Sequence, residues 1–115
     1  MLPVKNTFEL LEKIENENLL PKLIEQLNKD FQLSNIDESF DLNTSINQLM
    51  TCLNSVLKKL IQFNYEDYLN LLYRIDVPEK ELATIKGSNL DENIEGVTFL
   101  IFKREFQKVW FKSKF

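Results

Sequence analysis

The fold is decided by residues 43–62, NTSINQLMTCLNSVLKKLIQ, which hold the clearest pattern in the chain. Apolar residues recur there at helical spacing and fall on one arc at 100° per residue: Ile46, Leu49, Met50, Leu53, Val56, Leu57, Leu60 and Ile61. Polar residues occupy the opposite arc. The stretch therefore predicts a helix, capped by Asn43 or Thr44, with one face in a core and the other in water.

Two more helices are predicted before this one. Asn6 followed by Glu9 is a cap-like start for a first helix of about ten residues. Pro21 suits the first turn of a second helix that runs to about Gln32, with apolar residues on one narrow stripe: Leu20, Leu23, Ile24, Leu27 and Phe31. Residues 33–43 then break the pattern and read as an acidic connector that crosses the bundle, although long loops are also where function concentrates.

Three helices are predicted after it. Asn64 is a candidate cap for the fourth helix, whose buried stripe would comprise Tyr65, Tyr68, Leu69, Leu72 and Ile75. Asp76, paired with Glu79, is a candidate cap for a short fifth helix ending at Gly87. The last helix is predicted from Ile94 to about Lys112. A strand over residues 97–102 is the rival interpretation, because β-branched and aromatic residues crowd there.

Composition agrees with a helical domain. The 115 residues include 43% hydrophobic residues, enough for one core, but only two Gly and three Pro, fewer than the turns of a sheet protein need. We therefore predict an all-α, compact, single-domain bundle of five to six helices over residues 1–115. The stretch Leu71–Glu79, LLYRIDVPE, and the closing Arg104–Val109, REFQKV, resemble a family of small, uncharacterised, all-helical bacterial proteins. The resemblance implies a bacterial helical protein and brings no activity or ligand with it.

The residue types exclude most familiar chemistry. With no histidine, the chain lacks the usual proton shuttle near neutral pH and the commonest transition-metal ligand. Cys52 lies at the edge of the apolar arc, which predicts a small buried side chain and not a reactive thiol. Gly87 and Gly96 fit no phosphate-binding loop. We predict no enzyme, no cofactor and no metal; an enzyme built only from Tyr, Lys and carboxylates ranks last among the alternatives.

Residues 91–102 partly match the pattern of a calcium-binding loop. Asp91, Asn93, Glu95 and Gly96 match its positions 1, 3, 5 and 6, but position 12 is Phe102, where a bidentate carboxylate is required. The segment is instead predicted to be an acidic turn that caps the last helix.

The C-terminal residues of the chain are basic, whereas the residues before them are acidic overall. Residues 1–102 carry nine Lys or Arg against seventeen Asp or Glu, whereas residues 103–115 carry five against one. Arg104, Lys108 and Lys112 are spaced i, i+4 and i+8 and form one basic stripe. Together with Trp110 and Phe111, they are the predicted partner-binding residues; the alternative is that these cations complement the dipole of their own helix.

The functional prediction is a non-catalytic interaction or accessory module whose partner is a protein, a second copy of the chain included. A small nucleic-acid-binding protein using the basic C-terminal helix is the alternative, and the net charge of −4 counts against it. The longest apolar run, residues 97–102, is far below the roughly 20 residues of a membrane span, and residues 1–8 hold no signal-like run. With a single cysteine, these features favour the cytoplasm.

Overall fold

A computed structural model of the chain describes residues 6–114, and the regular secondary structure of this part is entirely helical. The helices are α1 (Thr7–Asn16), α2 (Leu20–Leu33), α3 (Ile46–Phe63), α4 (Tyr65–Ile75), α5 (Glu79–Leu82) and α6 (Leu90–Lys114). The all-α bundle and its number of helices are confirmed. Residues 97–102 lie inside α6, so the strand interpretation is wrong. No helix of residues 6–114 has the length and apolar character needed to cross a membrane.

The bundle is organised around its last helix. With 25 residues, α6 is about 38 Å long at 1.5 Å per residue, and it spans the longest dimension of the molecule, 37 Å. It packs against each of the other five helices. Its first half buries Val97, Leu100, Ile101 and Phe102, which point to different sides of the helix. A helix that is apolar nearly all round is stable only when neighbours cover every side, and this one is covered.

The acidic connector is tied to the core at its middle. Ile36 and Phe40 are buried, and the Phe40 ring meets Phe31 edge-on with 5.3 Å between ring centroids. The Asn28 side chain makes two hydrogen bonds to the Phe40 backbone. Its Oδ1 accepts from the Phe40 N–H at 2.7 Å, and its Nδ2 donates to the Phe40 carbonyl oxygen at 2.9 Å. The connector, residues 34–45, is therefore anchored to α2 near its middle, and its crossing of the bundle stays a prediction.

Of two helix caps predicted in the middle of the chain, one is wrong and the other is right in position only. Helix α3 is capped by Ser45, which exchanges hydrogen bonds with Gln48 in a capping box, and not by Asn43 or Thr44. Asn64 is the only residue between α3 and α4, and its side chain makes no cap hydrogen bond there. Asn64 is therefore the N-cap of α4, as predicted, but through its backbone carbonyl oxygen, which accepts from the Tyr68 N–H, and not through its side chain.

Asp76 ends α4 and does not begin α5. Its backbone is left-handed, with φ 69° and ψ 49°, and its N–H donates to carbonyls of the last turn of α4. The N-cap of α5 is Pro78, with no side-chain cap hydrogen bond, and α5 runs from Glu79 to Leu82 and so ends well before Gly87. Aspartate tolerates the left-handed conformation that ends a helix, and here this role prevailed over an N-terminal cap.

Cys52 is exposed, so the prediction that it is buried is wrong. The buried face of α3 is narrower than its apolar arc, because Met50 and Ile61 at one edge are only half-buried. At the other edge, Cys52 lies about 40° beyond the buried Val56, outside the area that neighbouring helices cover.

Candidate functional site

Arg104, the first cation of the predicted basic stripe, binds the end of α4. Its Nε donates to the Asp76 carbonyl oxygen at 3.1 Å, and its Nη2 pairs with the Asp76 carboxylate Oδ2 at 3.1 Å. Because Asp76 is the C-terminal cap of α4, Arg104 places positive charge at the negative end of that helix.

Lys108 lies one turn further along α6 and faces inward. Its side chain is only 17% exposed. Its Nζ donates to the Ile75 carbonyl oxygen, also in the last turn of α4, at 3.2 Å and to Asp30 Oδ2 at 2.8 Å. The same nitrogen lies 2.8 Å from Glu105 Oε1. Arg104 and Lys108 thus complement the dipole of a neighbouring helix, whereas the sequence suggested their own.

Two carboxyl groups are buried beside Lys108. Glu105 has no exposed surface and Asp30 is 3% exposed. Lys108 Nζ lies close to Glu105 Oε1, but neither carboxyl oxygen of Glu105 has a hydrogen bond of good geometry within residues 6–114. Burial raises the pKa of Glu105 to about 9, and the neighbouring Asp30 acts in the same direction, against a smaller opposing effect of Lys108. The raised pKa favours the neutral form of Glu105 near pH 7, and Lys108 then serves as the counter-charge of Asp30.

The network extends towards the surface through Gln26. Its Nε2 donates weakly to both Asp30 oxygens, at 3.3 and 3.4 Å, while its Oε1 accepts from Lys112 Nζ at 2.7 Å. Lys112 is itself exposed. All three cations of the predicted stripe therefore hold groups on α2 or α4.

The two aromatic residues predicted for the partner site lie at the end of α6. Trp110 is half-buried, its Nε1 lies in the interior with no hydrogen-bond partner among residues 6–114, and Lys114 Nζ is 5.6 Å from its ring centroid. Phe111 is 43% exposed and meets the Trp110 ring edge-on at 5.5 Å. The Trp110 ring is thus already in contact with Phe111 and Lys114.

Helix α4 exposes two of the five apolar residues that the sequence predicted to be buried and buries the other three. Tyr65 is 55% exposed, Leu69 46% and Tyr73 87%, so the predicted stripe is wrong for Tyr65 and Leu69. The buried face comprises Tyr68, Leu71, Leu72 and Ile75. Its centre is rotated towards Leu71, because α4 packs against α2, α3 and α6 from one side only. We call Tyr65, Leu69 and Tyr73 the α4 stripe.

The α4 stripe borders a groove between α4 and α5. The groove has a volume of about 480 Å³, a size within the range of ligand pockets. Its lining is mostly apolar and comes from α4 and from the turn that leads into α5: Leu69, Leu72, Tyr73, Val77, Pro78 and Leu82, with Asp76 and Glu79 at the rim. Tyr73 also lines a smaller depression on its other side, with Leu33, Asn70 and Arg74. Exposed apolar side chains and a concave surface therefore meet at one place.

The predicted acidic turn at residues 91–96 is part of a helix. Helix α6 begins at Leu90, four residues before the predicted start. Asp91 pairs with Lys58 at 3.1 Å, and Asn93 Oδ1 accepts from the Gly87 N–H at 2.7 Å. A Cβ on Gly87 would come within 2.8 Å of the Asn93 backbone nitrogen, so this glycine permits a close approach of the chain. Across residues 6–114, no group of three His, Cys, Asp or Glu is arranged to hold a metal ion.

Comparisons of the chain with models of protein families, with curated proteins and with solved structures find no match.

Sequence reasoning did not identify the α4 stripe as a candidate site. A signal was available in the spacing, because Tyr65, Leu69 and Tyr73 follow one another at i, i+4 and i+8. Their line lies to one side of the line of Tyr68, Leu72 and Ile75, so α4 carries apolar residues over an arc wider than one contact face needs.

Proposed function

We propose that this protein is a non-catalytic interaction module that binds a protein partner through the α4 stripe and the adjoining groove. The observation that supports the proposal is the exposure of Tyr65, Leu69 and Tyr73 on one side of a helix that is otherwise packed against the core. Large apolar side chains that line up on a surface beside a concavity are typical of binding sites, whereas single exposed ones are ordinary.

The residue types of this surface also suit a partner. Tyrosine is enriched at protein interfaces, because its ring provides apolar contact area and its hydroxyl provides a hydrogen bond at little cost in side-chain entropy. Tyr73, at 87% exposed, makes little use of its ring within the monomer. The α4 stripe is about 12 Å long at 1.5 Å per residue, the length of a little over two helical turns.

The nucleic-acid alternative loses much of its support. It depends on cations free to contact phosphates, yet Lys108 is largely buried against Asp30 and Glu105 and Arg104 is bound to Asp76. Each lysine or arginine already paired inside the protein contributes less counterion release when nucleic acid binds. A protein partner is therefore the better supported proposal.

Site-specific photocrosslinking tests the proposal. A photoreactive phenylalanine derivative is placed at Tyr73 and, as a matched control, at Phe8, which is 76% exposed on α1. We expect cells that carry the protein to give a discrete adduct from position 73, absent from position 8 and lost when Leu69→Asp is added. The partner identified from this adduct is then purified by itself. It should bind the wild type, and it should bind Leu69→Asp at least about tenfold more weakly, as expected when a small hot spot is removed.

The result that would contradict the proposal is equal crosslinking from both positions, or a purified partner that binds Leu69→Asp as well as the wild type. Light scattering over a concentration series addresses a second copy as the partner. Dimerisation that Tyr73→Asp abolishes would identify the chain as its own partner, whereas a monomer at every concentration would eliminate self-association.

A further inference from the structure

The segment that forms the groove contains more acids than bases. Residues 64–82 contain five acids, Glu66, Asp67, Asp76, Glu79 and Glu81, and two bases, Arg74 and Lys80, a balance of −3. Two of the acids have partners on α6: Asp76 with Arg104, and Glu81 with Lys103 at 2.8 Å. The Asp76 side chain nevertheless remains 79% exposed. When the paired Lys103 and Arg104 are counted with residues 64–82, the balance is −1, so the apolar surface is bordered by a small excess of negative charge.

Two of these acids, Glu66 and Glu79, lie next to the apolar surface. Glu66 is exposed and lies about 20° around α4 from the line of Tyr73, at the first turn of the helix. Glu79 is exposed and is among the residues that line the groove. The nearest base on α4, Arg74, lies 100° around the helix from Tyr73 and borders the smaller depression instead.

From this complementarity, and resting on the proposed function, we infer that the partner presents a basic amphipathic helix to the α4 stripe and groove. An amphipathic helix lays apolar residues at i, i+3 or i+4 and i+7 into a groove of this kind, and its Lys or Arg residues would then meet Glu66 and Glu79. Basic side chains also interact favourably with the faces of exposed tyrosine rings.

The same charges disfavour a second copy of this chain as the occupant. A two-fold dimer brings the same patch of both subunits together, so Glu66 and Glu79 of one copy would face the acidic rim of the other. Like charges placed across an interface weaken it. A positively charged partner turns the same rim into an attractive one.

The test uses three synthetic helical peptides of about 14 residues with the same leucine positions and a polar face made of Lys, of Gln or of Glu. Binding to the full chain is followed by fluorescence anisotropy, and the contact surface by amide chemical shifts. We expect the Lys peptide to bind at least about tenfold more tightly than the Glu peptide, with shifts centred on Leu69, Tyr73 and Glu79.

A pair of charge variants separates this site from general attraction to an acidic protein. Glu66→Gln with Glu79→Gln should reduce the preference for the Lys peptide over the Glu peptide by about fivefold. Glu12→Gln with Glu15→Gln changes the net charge equally on the exposed side of α1 and should leave the preference nearly unchanged.

The outcomes distinguish this inference from the proposed function. Equal binding of all three peptides at the groove would overturn the basic partner and leave the groove as a docking site. Lys-peptide shifts centred elsewhere, or no binding of the Lys peptide, would also overturn the basic partner, while the photocrosslinking result decides the proposed function independently. A dimer held together by the α4 stripe would overturn the inference of a basic partner in favour of a second copy of the chain.

Discussion

The C-terminal half of α6 and the outer face of α4 depart from the sequence pattern in opposite directions. On α6, charged residues predicted to face solvent reach inward: Lys108 contacts Asp30, Glu105 and the Ile75 carbonyl. On α4, apolar residues predicted to be buried face solvent, with Tyr65 and Leu69 about half exposed. The two regions meet at the end of α4, where Asp76 accepts from Arg104 and also borders the groove.

In this contrast, the charges of α6 hold the fold together, and the outer face of α4 is the surface left for a partner. The cations of α6 satisfy the last carbonyls of α4 and neutralise a buried carboxylate, so their removal should cost stability. The apolar residues of the α4 stripe contribute little to the core, so their replacement should cost binding and not stability.

The largest expected effect is on Lys108. Lys108→Met removes the cation beside Asp30 and Glu105, and we expect a loss of about 3 kcal/mol or more in the free energy of unfolding, because a buried carboxylate is left without its counter-charge. Urea denaturation followed by circular dichroism measures it. Lys112→Met, at an exposed lysine with one contact to Gln26, is the control and should cost less than about 1 kcal/mol. Equal losses for the two variants would show that Lys108 behaves as a surface charge.

The next effect concerns the proton on Glu105. Its pKa is raised from 4.5 to about 9 on folding, so the unfolded chain binds fewer protons than the folded one between these values. Stability should therefore be greatest at the acid end of this window and fall as pH rises towards 9. Glu105→Gln keeps a neutral group that can donate to Asp30, and we expect it to be more stable than the wild type by about 1–3 kcal/mol at pH 8.

The measurement is a series of urea titrations from pH 5 to pH 9. The wild type and Glu105→Gln should converge near pH 5 and diverge as pH rises. Glu12→Gln, at an exposed acid on α1, should follow the wild type throughout. A Glu105→Gln protein that is less stable than the wild type at pH 8 would show that the carboxylate is ionised in the folded state and paired with Lys108.

The smallest expected effect on stability is at the α4 stripe. Tyr73→Asp should change the free energy of unfolding by no more than about 0.5 kcal/mol, because the ring is 87% exposed. Leu72→Asp, one position away and 7% exposed, places a charge in the core and should cost more than about 3 kcal/mol. Thermal melts of both variants distinguish the two faces of α4, and a severe loss for Tyr73→Asp would mean that this ring packs within the monomer.

Much of the fold could be predicted from the chain. The period of residues 43–62 gave α3 as a core helix, and the continued helical spacing through Phe106 and Val109 correctly outweighed the strand-like run at residues 97–102. These signals are strong because the helical spacing of apolar residues repeats over several turns. A connector was predicted at residues 33–43 and lies at residues 34–45. The hydrogen bonds between Asn28 and Phe40 join residues distant in the sequence, and no local pattern encodes them.

The candidate site could not be predicted, because periodicity shows that a helix has an apolar side but not how wide an area its neighbours cover. Leu71 and Leu69 are both plausible core residues from the sequence, and only the packing of α4 against α2, α3 and α6 buries the first and exposes the second. Similarly, the i, i+4, i+8 spacing of Arg104, Lys108 and Lys112 does not show that Asp30 and the end of α4 lie opposite. The same limit explains Cys52, whose exposure depends on the edge of the contact area.

The most direct test of the central claim is the affinity of the crosslinked partner for two variants measured side by side by calorimetry, Tyr73→Asp and Lys112→Gln. If the α4 stripe binds the partner and the cations of α6 serve the fold, Tyr73→Asp should weaken binding by at least about tenfold, and Lys112→Gln should leave it within about twofold. Loss of binding in Lys112→Gln, with Tyr73→Asp unaffected, would contradict the account and return the docking surface to the basic C-terminal helix.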